Sequence, residues 1–207
     1  MNAVRRSLIA ALLAAPWAAA LAQRGAPPYM ELNPPQPVET TGKIEVLEFF
    51  WYGCIHCYNL EPRIETWLKT LPKDVEFRRV PAVFNERWGH DAAIFYAFEA
   101  MGILDKVHRP FFDAIHRDRL RTDKPEELNA WLQKQGIDQK KFEATVKSFG
   151  VQSKTRRAVR LTSDYKIDGT PAMAVQGRYT VSADQGRNQQ GLLDTVTYLV
   201  EQARKGK

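Results

Sequence analysis

Residues 43–57 read KIEVLEFFWYGCIHC, and the change of character along this stretch decides the fold. Lys43 to Phe50 is β-branched and aromatic enough for a buried strand, and it runs through Trp51-Tyr52-Gly53 into a pair of cysteines. After Cys57, residues Leu60, Ile64, Trp67, Leu68 and Leu71 recur at helical spacing, which predicts a helix ending near Leu71. Val75 to Val80 suits a second strand. Strand, helix and strand make a βαβ unit, whose crossover is normally right-handed between parallel strands.

Downstream, the sequence predicts helix after helix: residues 90–101, 106–117, 125–135, 139–149 and 153–165. Asp123 with Glu126 reads as a capping box, and Asp138 as an N-cap. Strand patterns return at Ala172–Val175 and Arg178–Val181, joined by the two-residue turn Gln176-Gly177, and a last helix covers residues 192–203. The whole reads as one α/β domain, residues 42–83 and 166–207, split by an inserted helical domain at residues 84–165.

At the N-terminus, Arg5 and Arg6 precede an apolar run from Leu8 to Ala22 that ends in Ala20-Leu21-Ala22, the layout of a secretory signal cleaved after Ala22. Pro16 interrupts the run, which is short for a bilayer-spanning helix of about 20 residues. Two arginines alone are a weak twin-arginine signal, so general secretion is expected, and with no cysteine near the cleavage point a lipid anchor is not. Residues 23–41 carry Pro27, Pro28, Pro34, Pro35 and Pro37 and suit an extended arm, with one short edge strand near Tyr29–Leu32. Removing the signal takes away two of the 30 basic residues and leaves 28 against 24 acids, a net of +4. That balance is mild, and Arg156, Arg157 and Arg160 read as a solvated helix face, so no nucleic-acid partner is expected.

Cys54 and Cys57 are the only cysteines in 207 residues. A bridge closing so short a loop removes little unfolded-state entropy, so stability is a poor reason for the pair. A strand leads in and a helix leads out, which puts Cys54 at a helix N-terminus, where unpaired N–H groups and the dipole favour a thiolate. His56 adds a second donor or positive charge beside the same sulfur. Cys57, one turn further, is the buried partner. A Cys-x-x-Cys pair can also be a structural bridge or, with His56, bind zinc or copper(I). The metal reading lacks a second ligand cluster, because His90, His108 and His116 are scattered and read as surface or ordinarily packed histidines. The strand-to-helix context favours redox chemistry.

Two more residues point the same way. Glu48 interrupts the apolar run of a strand that looks buried; if both faces are covered, a carboxyl there must be paired or protonated, and proton exchange with Cys57 is a sensible role. Its alternative is an outward-facing strand position. Pro171, in Gly169-Thr170-Pro171, is either a plain turn proline or a cis-proline that holds a loop against the cysteines and leaves the Thr170 backbone free to pair with an extended substrate.

Glu48-Phe49-Phe50, Cys54-x-His56-Cys57, the helical insertion and Thr170-Pro171-Ala172 before a hairpin together resemble the DsbA family of the thioredoxin superfamily, over nearly all of the exported chain. The resemblance implies an α/β thioredoxin fold with an inserted helical domain. It carries over the roles of nucleophile to Cys54, buried partner to Cys57, thiolate stabiliser to His56, buried acid to Glu48 and substrate-pairing loop to Thr170 and Pro171. Pro62 matches the helix-kinking proline of thioredoxins. The chain departs from the commonest family pattern in having Ile55 between the cysteines and Thr170 before the proline. What the family implies is a monomeric periplasmic thiol-disulfide oxidoreductase that donates its disulfide to exported proteins with free cysteines and is reoxidised by a DsbB-like, quinone-linked membrane protein, with no cofactor or metal. A reductase or isomerase of the same fold is the alternative, though residues 23–41 are too few for the added domain through which isomerases dimerise.

Overall fold

The computed structural model describes residues 27–186 and 188–206; the signal expected over residues 1–22 and the start of the arm lie outside them. A short strand β1 (Met30–Glu31) is followed by β2 (Ile44–Phe50), helix α1 (Ile55–Leu68) and β3 (Val75–Pro81). Five helices come next: α2 (Glu86–Ala100), α3 (Leu104–His116), α4 (Pro125–Lys134), α5 (Gln139–Val146) and α6 (Phe149–Asp164). The chain then returns as β4 (Ala172–Val175), β5 (Tyr179–Ser182) and α7 (Gln189–Lys205). One sheet collects the strands in the order β1-β5-β4-β2-β3. β2 pairs with β3 in parallel, as the βαβ reading requires, and with β4 antiparallel. This is the α/β thioredoxin fold with helices inserted between β3 and β4.

β2 lies between β4 and β3 in the sheet, and all seven of its residues are buried. A strand covered on both faces is a nearly continuous apolar run, which is how KIEVLEFF reads. Ile44 and Val46 pack with Leu60, Ile64 and Trp67 of α1 and with Leu192, Val196 and Leu199 of α7. Leu47, Phe49 and Phe50 join the inserted helices through Phe95, Phe98, Phe111 and Phe112. Two apolar clusters thus sandwich the sheet, and the cysteine pair leaves the sheet at the end of its most buried strand.

Several boundaries differ from the sequence expectation for local reasons. α2 begins at Glu86 because Asn85 caps it, accepting from the Trp88 N–H. Ser148 caps α6, so that helix starts at Phe149 and α5 stops at Val146. The expected capping box at Asp123 and Glu126 does not form. Lys124 occupies the cap with Pro125 in the first helical turn, Asp123 pairs with Arg87 and Arg121, and Glu127, not Glu126, reaches back to the Arg121 N–H. Asp138 does cap α5 through the Lys141 N–H. Gln176 and Gly177 both have positive φ, as a two-residue hairpin turn of the primed type demands. The arm lies along this hairpin, with Leu32 N–H donating to the Arg178 carbonyl and Gln36 N–H to that of Gly177.

Candidate active site

Cys54 is the N-cap of α1, and its sulfur accepts from the Cys57 N–H at 3.4 Å. Gly53 comes just before it because the Trp51 ring folds back over the backbone there, where any side chain would collide with the ring. Trp51 is held by stacking on Trp88, with centroids 4.2 Å apart, and by a 2.8 Å hydrogen bond from Nε1 to the buried Asp91. Cys57 is fully buried, whereas Cys54 is partly open to solvent; both are free thiols.

The two sulfurs are held in opposite states. Cys54 is lowered to about 5 from the ordinary thiol value, first because the Cys57 thiol donates to its sulfur. Burial works against this lowering, and the Thr170 side chain and the backbone N–H groups of Cys57 and His56 add to it. The Cys57 thiol is pushed far up, by burial first, then by its bond to Cys54 and by the charges of Cys54 and Glu48. An exposed thiolate above a buried thiol is the arrangement that thiol-disulfide exchange uses.

Thr170-Pro171, just before β4, reaches the same point beside the end of β2. The peptide bond is cis, and Cys54 Sγ is 3.3 Å from the Thr170 carbonyl oxygen. A cleft of about 870 Å³ opens beside this loop, bordered by His56, Thr170, Pro171, Ser182 and Gln189. His56 lies at the cleft edge with its side chain exposed. Its backbone N–H helps to lower Cys54, and no hydrogen bond joins the imidazole to Cys54 among the described residues.

Glu48 is fully buried, on the face of β2 that α1 covers. Parallel register sets Arg79 of β3 directly opposite. Arg79 Nε is 3.1 Å from Glu48 Oε2 but off the N–H axis, so neither group completes an aligned hydrogen bond in this ion pair. Arg79 also donates to Glu61, one helical turn after Cys57, at 3.0 Å. Glu61 is in turn 3.3 Å from His108 Nε2, and His108 Nδ1 is 2.9 Å from the Tyr52 hydroxyl. Glu48 is pushed up to about 8, chiefly by burial, with Arg79 opposing and the charge of Glu61 adding to the rise. Burial also acts to raise Glu61, but the His108 hydrogen bond and the Arg79 charge outweigh it and hold this carboxyl below its usual range.

The fold therefore brings Cys54 and Thr170, both partly open, together with the buried Cys57 and Pro171, with Glu48 fully buried in β2 and His56 at the rim of the cleft. Sequence reasoning missed Glu61, Arg79, His108 and Tyr52. A polar residue four positions after Cys57 on an otherwise apolar helix face was the available signal for Glu61; Arg79 depends on strand register, and His108 on how α3 packs. Among the described residues no group of three or more His, Cys, Asp and Glu side chains is placed to hold a metal ion.

A family model described as the DSBA-like thioredoxin domain matches residues 79–194. The thiol:disulfide interchange protein DsbA of Azotobacter vinelandii is 43% identical over 179 residues, 86% of this chain and 84% of its own. That of Bordetella parapertussis is 42% identical over 203 residues, 97% of each chain, a span that includes the cysteine pair. The crystal structure of Pseudomonas aeruginosa DsbA, 39% identical, is similar with a TM-score of 0.81 over 86% of this chain and 93% of that one.

Proposed function

The chain belongs to the DsbA family of thiol:disulfide interchange proteins, and on that premise we propose that Cys54 and Cys57 are the redox pair of this thiol-disulfide oxidoreductase. The observation that carries the assignment is the placement of the two sulfurs: Cys54, partly open to solvent, is the N-cap of α1 with the Cys57 N–H on its sulfur, and Cys57 is fully buried one turn on. A substrate thiolate attacks Cys54 Sγ of the disulfide, the Cys54–Cys57 bond breaks, and Cys57 leaves as a thiolate that takes a proton from Glu48. A second substrate thiolate then attacks the substrate sulfur of the mixed disulfide and releases Cys54 as a thiolate. Two electrons have passed from the substrate dithiol to the enzyme. Because only the reduced enzyme carries the stabilised thiolate, each unit by which Cys54 is lowered favours reduction by about 1.4 kcal/mol, or about 30 mV.

Thr170 and Pro171 serve as the substrate-pairing loop, with the extended substrate in the adjoining cleft, and His56 borders it. Residues 42–83 and 166–207 act as the redox domain and residues 84–165 as its inserted helical cap. The substrates are exported proteins with free cysteines, met by a monomer in the periplasm after removal of residues 1–22. A DsbB-like, quinone-linked membrane protein restores the disulfide. Oxidised protein mixed with a two-cysteine peptide tests the reading. The wild type should convert the peptide to its disulfide, Cys54→Ser should be inert, and Cys57→Ser should accumulate a Cys54-linked mixed disulfide with a single-cysteine peptide. Peptide oxidation by Cys54→Ser would overturn it.

A further inference from the structure

We propose that His108 decides which of two buried carboxyl groups, Glu48 or Glu61, holds the proton they share across Arg79, and that it keeps this proton on Glu48, whose charge acts on Cys57. The inference rests on the reading of Cys57 as the buried half of the redox pair and adds a positioning residue that lies on neither side of the disulfide.

The first support is a count of charges. One guanidinium, Arg79, serves two carboxyl groups, and Glu48 and Glu61 are both at most 1% exposed. Two carboxylates out of solvent would share this single guanidinium, so the arrangement favours protonation of one of the two. The second support is a count of donors. Glu61 Oε2 accepts from Arg79 Nη2 at 3.0 Å and Oε1 faces His108 Nε2 at 3.3 Å, whereas neither oxygen of Glu48 has an aligned donor. The anion therefore settles on Glu61 and the proton on Glu48. Without His108 the two carboxyls would compete for Arg79 alone.

His108 can play this part because its tautomer is fixed from behind. Nδ1 is 2.9 Å from the Tyr52 hydroxyl, and Tyr52 is itself fully buried. With the hydroxyl donating to Nδ1, the ring proton is on Nε2 and points at Glu61; the opposite tautomer would aim a lone pair at a carboxylate. The charged and titratable groups facing His108 are Glu61 and Glu65 of α1, Arg79 of β3 and Tyr52, with the rings of Phe50, Phe95 and Phe112 closing the remaining sides. Those facing Glu48 are Arg79 and Glu61, and it acts in turn on Cys57. Burial lowers His108, so the ring is a neutral donor and adds no charge to the cluster.

The consequence concerns one balanced step. When the Cys54–Cys57 bond breaks, the Cys57 thiolate and the Glu48 carboxylic acid become a thiol and a carboxylate, and Glu48 then takes up a proton from solvent; reoxidation requires Glu48 to release that proton before it accepts the one on Cys57. If the proton were on Glu61 instead, Glu48 would already be an anion and could not protonate the departing sulfur.

The test is a titration of reduced protein labelled with 13C-glutamate. The two side-chain carboxyl carbons are assigned by their disappearance in Glu48→Gln and Glu61→Gln. In the wild type, Glu48 should titrate at the higher pH. In His108→Leu the order should reverse, with the Glu48 midpoint falling by about one unit or more, a tenfold change in its ionised fraction. His108→Gln, which keeps an N–H for Glu61, should hold the wild-type order. Tyr52→Phe frees the ring to take the other tautomer and should move Glu48 the same way by less, which keeps the test open if the leucine variant does not fold. The rate at which Cys57 resolves a Cys54–glutathione mixed disulfide should follow the Glu48 midpoint in each variant. An unmoved Glu48 midpoint in His108→Leu, or in Tyr52→Phe where only that variant folds, overturns the proposal. Failure of wild-type protein to oxidise a two-cysteine peptide would instead remove the proposed function and leave the carboxyl order as measured.

Discussion

Cys54 Sγ lies 3.3 Å from the backbone carbonyl oxygen of Thr170, bringing together residues 116 positions apart in the chain. A side chain cannot be substituted out of a backbone contact, but the Thr170 side chain is a separate lever, because it also helps to lower Cys54. Thr170→Val should therefore raise the Cys54 midpoint above about 5 by part of a unit to about one unit and reduce the oxidising strength by up to about 30 mV. Thiolate absorbance against pH reports the first quantity and equilibration with glutathione the second. An unchanged midpoint in this variant would leave the side chain without influence on the sulfur.

Accessibility separates the two cysteines. Cys57 is fully buried and its thiol is held far up, while Cys54 is partly open and lowered to about 5. Brief alkylation of the reduced protein near pH 6 should label Cys54 alone, as peptide mapping would show. Labelling of Cys57 first would reverse the assigned roles.

His56 marks where sequence and structure divide. Its neighbourhood to Cys54 was legible; the residue is exposed, and its backbone N–H is among the groups that lower Cys54. His56→Ala should accordingly leave the Cys54 midpoint within about half a unit, a fraction of the ~1.4 kcal/mol that a whole unit represents. A rise of two units in the same titration would restore the imidazole as the main stabiliser.

What the sequence made legible was local or periodic. The buried strand, the helix beginning at the cysteines, the parallel crossover and the hairpin at Gln176-Gly177 each follow from patterns within a dozen residues. Glu48 stood out because a carboxyl in an apolar run needs a reason. Its partner did not, since Arg79 faces Glu48 only through the register between β2 and β3, and a shift of one residue would have put Arg78 there instead. His108 and Tyr52 lie 56 positions apart and meet only when α3 packs over the end of β2. The caps at Asn85 and Ser148 were missed for another reason: the apolar periodicity starts after them and drew the helix boundary inward.

Arg79 is the cation on which both buried acids depend. Replacing it with Met should destabilise the protein by roughly 3–5 kcal/mol, since one partner of a buried ion pair is removed. The loss should also depend on pH. Without the guanidinium both carboxyls are raised above their unfolded value, and a raised group contributes stability that is present below the unfolded pKa and lost as pH rises through the folded one. Urea unfolding should therefore show a larger deficit against wild type at pH 8 than at pH 5. Equal deficits would mean that Arg79 contributes packing alone.

The redox state of the pair should alter stability in a way that reverses with pH. Cys54 is an acid lowered in the folded protein, to about 5 against an unfolded value of about 8.5, so it contributes stability that is fully present above 8.5 and lost as pH falls through 5. Cys57 is shifted the other way and acts only above the unfolded value, which leaves the window between 5 and 8.5 to Cys54. Taken at face value the shift amounts to about 4 kcal/mol at pH 8 and less than about 0.5 at pH 5, and screening of a partly exposed sulfur reduces the difference to roughly 2–3 kcal/mol. Only the reduced protein has this term. The oxidised protein has instead a disulfide closing a four-residue loop, which constrains the unfolded chain by about 2 kcal/mol at every pH. The two contributions are therefore near balance around neutrality: thermal melts should show the oxidised form at least as stable at pH 5 and the reduced form more stable at pH 8. Parallel curves for the two forms between pH 5 and 8 would show that Cys54 is not ionised in that range, and the account of its oxidising power would fall with it.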